Sequence, residues 1–208
     1  MQNRSIRLRR HSIRLKGYDY AQEGAYFITL ATQNRACLFG EIIDSVPRLN
    51  DAGRMIESVW VDMPTYYPGV ETDTFIVMPN HIHGIVPLVG AGPRACPNHA
   101  GQPQGVAPTM SLPDIIHRFK TLTTKRYVDG VKQAAWEPFA GRFWQRNYYE
   151  HVIRDENSLN RIREYIATNP ARGSIDPENP FATRPESKDI WRTVGTQHAA
   201  PLPDNGKM

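Results

Sequence analysis

Cysteine is scarce: Cys37 and Cys96 are the only two in 208 residues. Two thiols cannot make a disulfide framework, and their rarity fits a reducing compartment, so the cytoplasm is the expected setting. Long apolar runs are missing too. Nothing approaches the roughly eighteen apolar residues of a membrane span, and the N-terminal charges are not followed by the apolar region of a signal peptide. No membrane partner is expected. Acidic residues are absent from "RSIRLRRHSIRLK", which carries Arg4, Arg7, Arg9, Arg10, Arg14 and Lys16. In a chain of net charge +4 this uneven placement marks residues 1–17 as a basic arm, either solvated or set against phosphates.

What is present suffices for one core with tails. "AYFITLAT" (25–32) mixes aromatic and β-branched residues and reads as a strand. Residues 49–69 space Met55, Ile56, Val59 and Trp60 at helical intervals, with Asn50 or Asp51 as N-cap and Pro64 and Pro68 closing the segment. "VETDTFIVMPN" and "HIHGIVPLV" are two strand-like runs joined by the turn chemistry of Pro79-Asn80. Residues 90–110 hold four glycines and four prolines and read as a flexible loop. A second helix spans 111–130, capped by Ser111 and stopped by Gly130. "FWQRNYYEHVI" (143–153) reads as a fourth strand, and 154–170 as a third helix whose buried stripe is Leu159, Ile162 and Ile166. After Arg172 the sequence is polar and proline-rich and shows no regular element; residues 171–208 form a tail that can wrap the domain spanning 18–170.

Two β-α-β halves in this order predict an α+β, ferredoxin-like (split βαβ) fold: a four-stranded antiparallel sheet with helices packed on one face. The chemistry-bearing residues sit on two of its elements. His81 and His83 point to the same face of one strand, roughly 7 Å apart, so both imidazoles can reach one small object. Taken alone, an H-x-H pair is a weak signal, since strand histidines often hydrogen-bond to a carboxylate or a backbone group and do nothing more. On the third helix Tyr165 and Asn169 lie one turn apart beside the buried stripe. Tyr165 has its own bland account as a core-edge tyrosine, and Asn169 as a helix terminator. Together the four would supply two neutral nitrogens, an amide oxygen and an oxygen nucleophile, a set suited to attack on a phosphodiester.

"MPNHIHGIV", "YFITLATQNRACLFGEI", "IIHRFKTLTTKRY" and "FWQRNYYEHVIRDENSLNRIREYIATNP" together resemble the sequence blocks of the REP-associated tyrosine transposases. These belong to the HUH superfamily of single-strand DNA endonucleases, alongside the single-tyrosine transposases of small insertion sequences. The likeness covers about residues 18 to 170; the 90–110 loop departs from a compact family core. The resemblance implies that His81, His83 and Asn169 hold Mg²⁺ or Mn²⁺. It also implies that Tyr165 attacks a phosphorus of single-stranded DNA, at hairpin-forming repeats, to leave a 5′-phosphotyrosine. Whether such a protein acts as a monomer or a homodimer stays open.

Competing residues are weighed beside these. Tyr148 and Tyr149 lack an amide one helical turn away, His151 can be a structural or accessory group, and Cys96 with His99 makes a poor zinc site. For DNA contact the arm (Arg4, Arg7, Arg9, Arg10, Arg14, Lys16) and the second helix (Lys120, Lys125, Arg126) offer charge. Phe143, Trp144, Tyr148 and Tyr149 could offer stacking faces. The rival readings are a ferredoxin-like nucleic-acid-binding module without catalysis and a barrel metal hydrolase; the chain is short for the latter.

Overall fold

The computed structural model describes residues 17–89, 110–183, 187 and 189–192. The basic arm, with Arg4, Arg7, Arg9, Arg10, Arg14 and Lys16, and nearly all of the 90–110 loop, with Cys96 and His99, lie outside the described residues. No helix among the described residues is long and apolar enough to cross a membrane.

Strand β1 (Gly24–Ala31) is fully buried over its last six residues, and its side chains alternate between two cores. Tyr26, Ile28 and Leu30 enter the larger core, and Phe27 enters the smaller one. Strand β4 (Phe75–Met78) turns through Pro79-Asn80 into β5 (His81–Leu88), and β6 (Tyr149–Ile153) completes the sheet. The strand order is β4-β5-β1-β6 with every neighbouring pair antiparallel, which is the ferredoxin-like arrangement expected from the order of elements.

Two helices cover the larger core. Helix α1 (Asp51–Tyr66) starts where the Asn50 side chain accepts from Gly53 N–H, and it buries Ile56, Val59, Trp60 and Met63. Helix α2 (Leu112–Gln133) is capped by Ser111 and buries Ile115, Ile116, Phe119 and Tyr127. Helix α3 (Glu156–Thr168), capped by Asp155, lies on the opposite face, where Ile162, Tyr165 and Ile166 meet Phe27, Ile85 and Ile153. Each such apolar side chain contributes about 2 kcal/mol on burial, enough to anchor a helix of this length. The helices of the two β-α-β units thus share a face as expected, while the third covers the face that carries the histidines.

Several local expectations change. A second hairpin, β2 (Gly40–Ile43) and β3 (Val46–Leu49), turns through Asp44 and Ser45, both at positive φ in the two-residue geometry that matches strand twist. The last strand begins at Tyr149 and not at Phe143. Phe143 and Trp144 are buried in the larger core and offer no stacking face to DNA. Gly130 does not stop α2, which runs on to Gln133; a Cβ there would meet the Trp136 ring at 2.3 Å, so the glycine admits a close packing contact. The third helix ends at Thr168 and passes into a short 3-10 turn at Asn169–Arg172, and a second such turn at Ile190–Arg192 brings regular structure into the region read as irregular.

Gly84 positions the histidine strand against α1. A Cβ at Gly84 would approach Trp60 Cζ2 at 2.4 Å, and Trp60 is clamped between Phe75 and Phe119. Gly84→Ala should therefore cost about 1–3 kcal/mol of stability by overpacking. Trp60→Phe in the same chain should recover part of that loss in urea denaturation.

Candidate active site

The period-two alternation of β5 sends Ile82 and Val86 into the larger core and turns His81, His83 and Ile85 to the α3 face. Both histidines are almost fully buried, at 1% and 2% exposure. Their Nε2 atoms lie 3.2 Å apart. The orientation of His81 follows from Asn80, whose Nδ2 donates to the Arg35 and Glu178 carbonyls at 3.2 and 2.7 Å. That leaves Asn80 Oδ1 as the acceptor 2.7 Å from His81 Nδ1, so in the neutral ring Nδ1 carries the proton and Nε2 presents its lone pair. His83 Nδ1 lies 2.8 Å from Thr29 Oγ1, and this hydroxyl can donate or accept. When it accepts, His83 Nε2 is a lone pair as well.

A residue that the sequence left in the tail completes the cluster. Asp176 Oδ2 lies 3.2 Å from His81 Nε2, and one ligand atom from each of His81, His83 and Asp176 falls within 4.8 Å of the others. Burial by itself would raise the Asp176 carboxyl. When His81 also carries a proton on Nε2, that N–H and the imidazole charge, helped by the Glu178 N–H, outweigh burial and hold it well below the usual carboxylate range. Three converging acceptors in a dry site repel unless a positive charge sits among them, either a proton or a metal ion. Two imidazole nitrogens with a carboxylate oxygen fit a divalent first-row ion.

Tyr165 comes to the same face. The Tyr165 ring centroid lies 5.3 Å from that of His83 and 6.0 Å from that of Phe27. The phenol ring is 2% exposed, and the Arg172 guanidinium lies 5.9 Å from its centroid. Asn169 follows at the end of α3, 1% exposed, and neither amide atom has a hydrogen-bond partner among the described residues. A buried amide without partners costs about 1–3 kcal/mol, which makes Asn169 a candidate ligand position.

Residues 95–169 match the model of the family described as "Transposase IS200 like", a span that ends on Asn169. An uncharacterized protein of Haemophilus influenzae is 39% identical over 168 residues, covering 77% of this chain and 88% of that protein. The chain belongs to the IS200-like transposase family. Membership makes it an enzyme of the DNA-cutting and DNA-joining type, in keeping with the resemblance to the REP-associated tyrosine transposases. A second Haemophilus influenzae protein, named "Putative REP-associated tyrosine transposase", is 26% identical over 156 residues, covering 74% of each chain. A solved REP-associated tyrosine transposase bound to a REP hairpin aligns with a TM-score of 0.49 at 18% identity, covering 76% of this chain and 73% of that one.

Other sequence candidates fall elsewhere. Tyr149 donates to Asp189 and its phenol is pushed up to about 12, chiefly by burial, while His151 stacks on Trp191 with centroids 4.3 Å apart. Lys120 Nζ donates to the Gln145 and Asn147 carbonyls and lies over Tyr148; Lys125 pairs with Asp129 at 2.8 Å. Arg126 sits beside the α1–α2 seam. Helix α2, which bears these three cations, packs on the sheet face opposite the imidazoles.

The sequence reading missed Asp176, Asn80 and Thr29 as parts of this centre. Only Asn80 carried a local signal, as the turn residue before the first histidine.

Helix α3 is fixed in place by a forked ion pair in which Arg163 Nε and Nη2 meet Asp73 Oδ1 and Oδ2 at 3.1 and 2.6 Å. The hydrogen bond from Arg163 lowers the Asp73 carboxyl below its ordinary value. A depressed carboxyl stabilises the fold above its unfolded pKa, about 3.9, and the contribution is lost as pH falls through the folded value. Asp73→Asn should cost about 1 kcal/mol at pH 7. The difference from wild type should shrink toward pH 3 in a series of urea titrations.

Proposed function

We propose that the chain is a metal-dependent endonuclease and strand transferase acting on single-stranded DNA, with Tyr165 as nucleophile. Tyr165 Oη attacks phosphorus, the Oη–P bond forms and the P–O3′ bond breaks. The departing O3′ takes up a proton and the phenol proton passes to solvent. The product is a 5′-phosphotyrosine and a free 3′-OH. Because the broken ester is replaced by another, the reverse attack by a 3′-OH rejoins DNA without an outside energy source. The observation that carries this reading is the Tyr165 ring lying 5.3 Å from His83 in a cluster of converging acceptor atoms.

The chain's own residues divide the work. His81, His83, Asp176 and the amide of Asn169 would hold the ion, and Asn80 and Thr29 orient the imidazoles through their Nδ1 atoms. An ion bound there supplies Lewis-acid polarisation of a non-bridging phosphate oxygen. Mixed nitrogen and oxygen donors suit Mn²⁺ and admit Mg²⁺. A phenol, with an ordinary pKa near 10, is a weak nucleophile at neutral pH. The Arg172 guanidinium places positive charge beside its ring. Hairpin-forming repeats are the substrate that the family resemblance suggests, and a cytoplasmic setting accords with it.

The burial of Tyr165 favours a second reading, a binding module that keeps the fold and does not cut. Labelled single-stranded oligonucleotides carrying a hairpin, incubated with Mg²⁺ or Mn²⁺, separate the two. The transposase should yield an SDS-resistant protein–DNA adduct that Tyr165→Phe abolishes and that Tyr148→Phe and Tyr149→Phe retain. Binding without any cleavage would establish the module instead. In calorimetric Mn²⁺ titrations, Asn80→Ala should weaken affinity about 10- to 100-fold by freeing the His81 ring, with the fold retained by circular dichroism.

A further inference from the structure

A cleft of about 230 Å³ opens beside the acceptor cluster, and His81 and Asp176 form part of its wall. Its other walls come from three places: β2 through Glu41 and Ile42, the β4–β5 turn through Met78 and Pro79, and the tail through Asn179 and Phe181. The tail wall is a built loop. Thr183 N–H donates to the Ser174 carbonyl at 3.0 Å, Phe181 N–H donates to Asn179 Oδ1 at 2.9 Å, and Asn179 Nδ2 donates to the Gly173 carbonyl. This loop holds the Phe181 ring out to solvent at 79% exposure, the highest of the large hydrophobic side chains among the described residues.

We propose that this cleft binds one unpaired nucleobase of the DNA strand, next to the phosphate that is cut, with Phe181 as its stacking platform. The inference rests on the nuclease reading given above and adds a position for the substrate. Size suits the occupant: a buried cavity of roughly 150 Å³ is enough to take up benzene, so this cleft has room for one nucleobase. Charge limits it further. Among the described residues no lysine or arginine lines the cleft, and the carboxylate of Glu41 disfavours a phosphate, so the group that enters is a neutral flat ring. Apolar walls from Ile42, Met78 and Pro79 with a few polar atoms at the edge suit that ring, and an aromatic face binds any base. A solitary exposed phenylalanine needs no explanation in itself. Its place on the wall of a cleft leading to the acceptor cluster is what gives Phe181 a role.

The test is an abasic scan. Fluorescein-labelled oligonucleotides with a hairpin and a single-stranded flank are bound to the full chain in Mg²⁺, with an abasic unit moved one position at a time along the flank. One position should bind wild type about tenfold more weakly, the scale of a single base–aromatic stack. That penalty should persist at raised salt, where phosphate contacts fade. Phe181→Ala should bind the intact oligonucleotide about tenfold more weakly and lose the position-specific penalty, and Phe181→Trp should restore both. The same penalty in Phe181→Ala as in wild type, or unchanged affinity of Phe181→Ala for the intact strand, overturns the inference. A position-specific penalty that depends on Phe181, without any covalent adduct, retires the nuclease and keeps the base site. Adduct formation with a flat abasic scan does the reverse, and failure to bind any single strand defeats both.

Discussion

The buried amide of Asn80 joins the parts on which this centre depends. Its nitrogen is spent on two carbonyls, one in the turn after β1 and one in the tail, and its oxygen is spent on His81 Nδ1. An amide can do this in one orientation only, and that orientation fixes which imidazole nitrogen keeps its lone pair. A single side chain therefore sets the tautomer of the neutral imidazole, closes the β4–β5 turn against its neighbours and clasps the segment that delivers Asp176. Residues at 1–2% exposure allow little water to repair a lost partner, so each of these bonds is costly to break.

The centre is arranged against the usual economy of a core. His81, His83, Asp176 and Asn169 are all buried, and His83 lies against Phe27, where apolar groups would be more stable. The protein tolerates this because the surrounding layers are secured independently. The larger core lies on the other face of the sheet, and α3 adds its own apolar contacts and the Arg163–Asp73 fork. Rigid strands carry the imidazoles and a well-anchored helix carries the phenol, so a geometry that repels itself without a cation is held at short range.

Much of this was legible along the chain, for reasons that are local. Period-two alternation placed both histidines on one face, and Asn50, Ser111 and Asp155 announced their helices through side-chain caps. The 3.6-residue period put Tyr165 and Asn169 on one flank of α3. What escaped was set by contacts between distant segments. Asp176 has no periodic neighbours and gains its meaning only when the tail returns to β5. Phe143 and Trp144 looked like strand residues because aromatics favour strands, yet they serve the core from an irregular approach to β6. Gly130 looked like a stop because glycine often is one, whereas the Trp136 ring needs its missing Cβ. The β2–β3 hairpin did leave a trace, since Asp44-Ser45 between two short apolar-polar runs is hairpin chemistry, but runs of four residues fall below what alternation can resolve.

The order in which these groups occur along the polypeptide has a consequence for its birth on the ribosome. The two imidazoles leave the exit tunnel first, the phenol follows more than eighty residues later, and the acidic partner comes last, eleven positions beyond the phenol. A chain still under construction thus carries a docked helix and a histidine pair before it carries the carboxylate that completes their surroundings. Full assembly of the centre waits until the segment beyond α3 has emerged, which separates the making of the histidine strand from the moment of competence.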